Sequence, residues 1–285
     1  MPQPLIIRDY SFDWQDTPYL MGILNVTPDS FSDGGEAFSI EKALIKAKAL
    51  LDGGAKILDV GGESTRPFAE PVPEEEELRR VLPVIKAIRE NFPKALISID
   101  TYKSRVAEAA LKAGADIVND ISGGQFDPRM IDVVCDFNCP VVVMHIKGTP
   151  KTMQLNPQYR DLLGEIKDYF KNRIEVFTRK GLSPEKIILD PGLGFGKTFE
   201  HNIQILQNLE TFKELGHPLL LGPSRKSFLG EIVKKSPKER DGATAGVSIY
   251  AYLKGVDFLR VHNVALVQDV LATFKYLWKK HELNL

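Results

Sequence analysis

Cysteine is nearly absent: Cys135 and Cys139 are the only two in 285 residues. Two thiols cannot staple a chain of this size, so a disulfide scaffold is excluded. Their spacing in DVVCDFNCP reads as two small core side chains on a helix, in a reducing compartment, rather than as a metal or redox pair. Net charge is nearly absent as well, at −1 from 37 basic and 38 acidic residues. That argues against a general electrostatic grip on nucleic acid or on an anionic membrane. No stretch approaches the ~18 consecutive apolar residues that cross a bilayer. The opening MPQPLIIRDYSFDW has neither the basic start nor the apolar run of a signal peptide, so a cytoplasmic protein is expected. Histidines are few, and His201, His217 and His281 show no H-x₃-H spacing.

What is present is ordinary globular material, 43% hydrophobic and 26% charged, in a regular alternation. Short apolar runs at 20–26, 56–60, 96–99, 117–119, 141–144, 187–189, 219–221 and 258–261 read as strands. Segments at 39–52, 74–91, 157–180, 199–215, 243–254 and 264–281 carry helical periodicity; the first opens on Ser39 as N-cap and stops at Gly53-Gly54. Repeated βα units imply parallel strands with helical crossovers. Near-continuous apolar strands fit a sheet covered on both faces. Eight units at this length predict an α/β fold of the (β/α)₈ TIM-barrel type, one domain over residues 19–285. Residues 1–18 form a short N-terminal cap, a hairpin closing the barrel bottom.

Nearly every strand ends in a polar residue. Asn25 follows the first; Asp59, Glu63, Thr65 and Arg66 the second; Asp100 and Lys103 the third. Asn119 and Asp120 close the fourth, His145 the fifth and Asp190 the sixth. Ser224, Arg225 and Lys226 follow the seventh, Arg260 and His262 the eighth. In such a barrel these ends converge on the face that carries the active site. One Asp alone reads equally well as a helix N-cap; eight strand ends in register read as a site. The first strand hands over to an unusually long loop in MGILNVTPDSFSDGG (21–35), where a turn of two to six residues is the norm.

Arg66, Arg260, His262 and Lys226 are cationic donors suited to a phosphate or pyrophosphate. Asp100, Asn119 and Asp190 are acceptors suited to a heterocycle edge bearing several N–H groups. Asn25, neutral and oxygen-bearing, suits the fringe of a Mg²⁺ ion, which takes few protein ligands beside waters and phosphates. DPGLGFGKT (190–198) is not a P-loop, because Pro191 stands where the first glycine is required. It reads as a tight turn bringing backbone close to a planar ligand. PEEEELRR (73–80) reads as an acidic first helical turn, and KKSPKER (234–240) as a solvated loop.

NVTPDSFSDGG (25–35), ESTRP (63–67), SIDTYK (98–103), VNDISGG (118–124), DPGLGFGK (190–197), GPSRKSFLG (222–230) and RVHNV (260–264) resemble, in order, the motifs of the dihydropteroate synthase family, over about residues 20–270. The resemblance implies the same barrel and one reaction: p-aminobenzoate displaces pyrophosphate from dihydropterin pyrophosphate, giving dihydropteroate for folate synthesis. It implies Asp100, Asn119, Asp190 and Lys226, with Met144 and Phe195, around the pterin. Asn25, through Mg²⁺, would hold the pyrophosphate with Thr65, Arg66, Arg260 and His262. Phe31, Thr65, Arg66, Pro67, Lys226 and Ser227 would shape the p-aminobenzoate pocket. Asp33 would lie in a mobile first loop acting as a lid, and Asp33, Arg66, Asp100 and Lys226 would be catalytic. A homodimer built on late helices is implied too.

One position departs from the pattern: Phe68 follows Pro67 where the family usually has Gly, so sulfonamide inhibitors are expected to bind differently while turnover survives. Two other readings are a corrinoid-type pterin methyltransferase domain and a non-catalytic pterin-binding paralogue. The first needs neither the pyrophosphate clamp nor the 25–35 loop; the second typically loses loop residues that are all present here.

Overall fold

Each barrel strand alternates its side chains between the ring interior and the helical layer, and the interior positions change character along the strand. In Ile57–Gly61 (ILDVG), Leu58 and Val60 pack outward on helices, whereas Ile57 joins an interior layer. That layer also holds Met21, Leu96, Ile117, Val142, Ile188, Leu220 and Phe258, contributed by seven other strands. Two or four residues further on, the same face of most strands carries polar groups, as at Asn25, Asp59, Asp100, Asn119, Asp190 and Arg260, with Met144 the apolar exception. The lower tier is therefore apolar and the upper tier polar.

The computed structural model describes residues 2–14, 18–27 and 35–282. Strands β1 (Leu5–Ile7) and β2 (Tyr10–Phe12) pair antiparallel, Leu5 opposite Phe12. This hairpin covers the barrel bottom: Leu5, Ile7, Phe12 and Trp14 pack on the apolar tier, with the Phe12 and Phe258 rings edge to face at 5.2 Å. Each such aromatic contributes about 1.5–3 kcal/mol by leaving water.

The barrel strands are β3 (Tyr19–Asn25), β4 (Ile57–Gly61), β5 (Leu96–Asp100), β6 (Ile117–Asp120), β7 (Val141–Met144), β8 (Ile187–Asp190), β9 (Leu220–Leu221) and β10 (Phe258–Val261). All pairings are parallel, in the order β8-β7-β6-β5-β4-β3-β10-β9. A single parallel bridge, Leu189 to Leu219, joins β8 to β9 and closes the ring. The expected eight-stranded barrel is thus the observed one. No helix among the described residues is long and apolar enough to cross a membrane.

Among the helices, Glu74–Asn91 has its expected bounds, buried along Val81, Val84, Ile85 and Ile88 at helical spacing. Others differ. The first helix runs Gly35–Asp52, so Ser39 lies inside it and is not its cap. The helix expected over 157–180 begins only at Leu162, where the Asp161 carboxylate caps Gly164 N–H at 3.1 Å. The segment 199–215 breaks at Asn208 into Phe199–Gln207 and Glu210–Lys213. Ser104–Lys112 and Ser227–Val233 are helices that periodicity did not single out, and the helix expected around DVVCDFNCP runs Arg129–Asp136. Arg129–Asp136 ends before Asn138, whose φ of 48° starts a turn, so Cys139 is not on it. Both thiols are free, and burial pushes Cys135 up and Cys139 up to about 12. That suits small core side chains and not reactive ones.

Candidate active site

Strand register sets the floor of the barrel mouth. Asn25 lies opposite Gly61, Gly61 opposite Asp100, and Asp100 opposite Asn119. Across the ring Met144 lies opposite Asp190. Above them opens a cleft at the barrel mouth. It is lined by Thr65, Asp100, Asn119, Ile121, Met144, Asp190, Gly192, Leu193, Phe195, Gly222, Lys226 and Arg260. Polar groups concentrate on the floor, while Met144, Ile121, Leu193 and Phe195 form apolar walls.

Arg260 crosses the floor between two carboxylates. Its Nε donates to Asp59 Oδ2 at 2.6 Å and its Nη2 to Asp100 Oδ2 at 2.5 Å. Asp59 is wholly buried and also accepts from Asn119 Nδ2, at 3.2 and 3.4 Å. Asp100 Oδ1, by contrast, is buried with no hydrogen-bond partner. Such an acceptor at the base of a cleft is costly to leave unmade and marks where a ligand donor belongs. Burial pushes the Asp100 carboxyl up to about 7, with Asp59 adding to the shift and Arg260 opposing it. Asp190 accepts from Gly192 N–H at 2.7 Å. Burial raises it to about 6 against that hydrogen bond and the Lys226, Lys197 and Arg260 charges.

Lys226 stands over the Phe195 ring, its Nζ 4.0 Å from the centroid. Burial and the Arg260 charge lower its ammonium to about 8, Asp190 and Asp100 opposing. The loop bearing Phe195 is built from glycine: Gly192, Gly194 and Gly196 have φ of 67°, 78° and 65°. A Cβ at Gly192 would stand 2.1 Å from His145 O, and one at Gly196 2.3 Å from Lys147 O. The expected tight turn is present, and it locks this loop to the one after β7. Lys197 secures the lock, its buried Nζ meeting His145 Nδ1 at 3.0 Å, His145 O at 3.2 Å and Phe195 O at 3.0 Å.

Several strand-end residues build loops instead of lining the cleft. Lys103 Nζ pairs with Glu63 and Glu77 and donates to Val72 O at 2.8 Å. The expected acidic first turn is present as Glu74–Glu77, and Glu77 within it is a buried partner of Lys103. Asp120 points out of the ring, accepting from Ser122 N–H at 2.8 Å and Gly124 N–H at 2.6 Å. Arg225 makes a two-pronged pair with Asp241, at 2.7 and 2.9 Å.

His262, expected as a cationic donor, is a neutral imidazole. Burial lowers it to about 3, with Arg225, Arg260, Lys46 and Arg66 contributing, and its Nδ1 lies 2.9 Å from Ser224 Oγ. Asn25 and His262 are half-buried, and Arg66, Pro67 and Ser227 are exposed; none of the five lines the cleft. Phe31 and Asp33 lie outside the described residues. Asp59 has no sequence signal beyond its place near a strand end, although the period of two in ILDVG places it inward. Lys46, half-buried on the first helix and lowered by burial and by Arg225, carried no signal in the sequence.

Fold and cleft together define a parallel-barrel enzyme whose mouth is built for a flat ring with a donor-bearing edge. Residues 21–262 match the family model for pterin binding enzymes. A dihydropteroate synthase of Synechocystis is 47% identical over 98% of this chain and 96% of its own. The Yersinia pestis dihydropteroate synthase, solved with a sulfonamide drug complex, superposes with a TM-score of 0.90 at 39% identity, covering 97% of this chain and 100% of that one. Xanthomonas albilineans dihydropteroate synthase was solved with 4-aminobenzoic acid (TM-score 0.87, 39% identity, 94% and 95% covered) and with 7,8-dihydropteroate (0.86, 36%, 97% and 99%). The chain belongs to the dihydropteroate synthase family of pterin binding enzymes, and it is a transferase.

Proposed function

We propose that the cleft holds the pterin of 6-hydroxymethyl-7,8-dihydropterin pyrophosphate while p-aminobenzoate attacks from the rim. The C–O bond to pyrophosphate breaks, a C–N bond forms to the arylamine, and that nitrogen gives up one proton. The observation that carries this reading is the buried, unpartnered Asp100 Oδ1 beside the Asn119 and Asp190 acceptors. They match the row of N–H donors on a pterin edge. Met144 and Phe195 sandwich the ring, and Lys226 donates to its acceptor side.

Departure of pyrophosphate leaves positive charge on the pterin methylene, which ionised Asp100 and Asp190 stabilise. Arg66, Arg260 and Lys226 stabilise the growing negative charge, with Thr65 and a neutral His262 as further donors. Preorganised groups of this kind contribute about 2.7–4 kcal/mol each. Thr65, Arg66, Pro67 and Ser227, with Phe31, shape the p-aminobenzoate site, and Asp33 serves in the lid that keeps water from the reacting carbon.

A Mg²⁺ ion fits this donor set. Among the described residues no group of three or more His, Cys, Asp or Glu is placed to hold a metal, and Mg²⁺ binds chiefly through substrate phosphates and waters. Asn25, half-buried at the end of β3, offers one amide oxygen to it. The ion would neutralise pyrophosphate charge.

We also propose a cytoplasmic homodimer. Tyr250 and Leu253 on the helix Asp241–Leu253, and Tyr276, Leu277 and Trp278 on Val264–Glu282, are exposed apolar side chains on two helices that pack together. Light scattering would read a mass of two chains.

The test of the reaction is pyrophosphate release from the pterin substrate with Mg²⁺, with and without p-aminobenzoate. Release strongly raised by p-aminobenzoate, with dihydropteroate formed, is expected. Pterin binding without release would favour a non-catalytic role.

A further inference from the structure

We propose that Asp59, which does not itself line the cleft, sets the hydrogen-bond polarity of the ligand site by holding Asn119 with its carbonyl oxygen toward the ligand. The proposal rests on the pterin reading above and deepens it, naming a specificity-determining residue one tier below the floor.

The geometry is as follows. Asp59 lies on β4 in register with Ile23 and Ser98. It is wholly buried and absent from the cleft lining. Its Oδ2 takes Arg260 Nε at 2.6 Å. Both its oxygens face Asn119 Nδ2, at 3.2 and 3.4 Å.

An ionised carboxylate only accepts, so the Asn119 amide has one satisfied orientation, NH₂ down to Asp59 and Oδ1 up. Asn119 is itself buried and lines the cleft, so the atom it presents there is an acceptor. With Asp100 Oδ1, which is unpartnered, the floor offers acceptors side by side. Arg260 gains from the same anchor: with Nε and Nη2 committed to Asp59 and Asp100, its guanidinium plane is fixed.

An amide without the carboxylate beneath it can turn over and present NH₂ to the ligand. A site built to take N–H donors would then accept a carbonyl in their place. Sites that hydrogen-bond a particular group discriminate through the unpaired polar group that the wrong ligand leaves. The selectivity for a 2-amino over a 2-oxo ring is therefore assigned to Asp59.

The experiment measures the affinities of 2-amino-4-oxopteridine and 2,4-dioxopteridine for the wild type, for Asp59→Asn, and for the exchange variant Asp59→Asn/Asn119→Asp. In the exchange variant the residue at 59 gives its oxygen to Arg260 and its NH₂ to the carboxylate at 119, which again shows the ligand only acceptors. The expected result is a wild-type preference for the amino ring that falls about ten- to hundred-fold in Asp59→Asn and returns in the exchange variant. If Asp59→Asn does not fold, recovery or loss of the preference in the exchange variant decides alone. A preference unchanged in Asp59→Asn, or equal weakening of both ligands in both variants, overturns the proposal and leaves Asp59 a packing residue. A wild type that binds neither ring would overturn the pterin reading itself and take the proposal with it.

Discussion

Lys226 holds its ammonium 4.0 Å from the centroid of the Phe195 ring, so a cation is pinned to the face of the aromatic that walls the cleft. The contact joins the loop after β8 to the loop after β9. It also points Lys226 inward, where Asp190 and Asp100 act on it. Lys226→Met is expected to lower kcat/KM for the pterin substrate by on the order of a hundred-fold. Phe195→Leu keeps the charge and loses the ring, and should cost several-fold to about tenfold. Steady-state kinetics on both variants checks the difference.

Activity should be confined to a pH window. Asp190 is ionised above about 6 and Lys226 protonated below about 8. Asp100, needed in its ionised form too, is raised to about 7, so the three charges coexist only between about 7 and 8, and kcat/KM, which reports the free enzyme, should peak there and fall on either side. Stability follows from the sign of the Asp190 shift. Its folded value lies above its ordinary one, so between about pH 4 and 6 the unfolded chain sheds this proton first. Rising pH therefore removes stability across that interval. Asp190→Asn should flatten that part of a Tm-against-pH curve.

Gly192 has no room for a side chain. With a φ of 67° and a Cβ position 2.1 Å from His145 O, Gly192→Ala must move backbone, and a loss of at least about 2 kcal/mol is expected in chemical denaturation. Gly194 differs. Its Cβ would meet the Lys226 side chain at 3.3 Å, so Gly194→Ala should disturb catalysis more than Gly192→Ala does for a given loss of stability.

Phe68 is 61% exposed with a φ of 64°, a conformation that suits glycine far better than a bulky side chain. Its N–H bonds Pro150 O at 3.0 Å, so the ring stands at the tip of the loop that carries Thr65, Arg66 and Pro67. Phe68→Gly is expected to retain turnover and to shift the inhibition constant of sulfonamides, which project beyond the outline of p-aminobenzoate. Equal inhibition of the two proteins would remove Phe68 from any account of drug binding.

The barrel and its mouth were legible because each βα unit repeats one local rule, an apolar run ending in a polar residue. The helix Glu74–Asn91 was readable to the residue, since its buried stripe keeps strict helical spacing. The helices Ser104–Lys112 and Ser227–Val233 were not, and Arg129–Asp136 was legible only in its DVVCD half. They are short, and none is capped by the side chain of the residue that precedes it; Asp127 instead takes Ser104 N–H at 2.8 Å and Arg129 N–H at 3.1 Å, so they depend on tertiary packing more than on a local signal. Within the mouth, neighbours such as Asn119 and Asp120 divide between cleft and outer loop by the period of two alone. What no local pattern discloses is pairing between units: Arg260 with Asp59 and Asp100 inside the ring, or Lys103 with Glu63 and Glu77 between neighbouring loops, join residues far apart in sequence. The neutrality of His262 has the same origin, because it depends on burial and then on cations from three other segments, Arg225, Lys46 and Arg66, beside its neighbour Arg260.

The ring is fastened unevenly. Neighbouring strands elsewhere share two to five register pairs, whereas β8 and β9 meet at one bridge. Asp190 ends one side of that joint, and Gly222 and Lys226 follow the other. If the barrel loosens, it opens like a bracelet at its clasp, and the first distance to change is the one between the carboxylate and the ammonium that the chemistry needs together. Glycine and Lys197 tie the loop after β8 back to the one after β7, so over the clasp itself Lys226 on the Phe195 ring works as a fastener for the active site as much as for the fold.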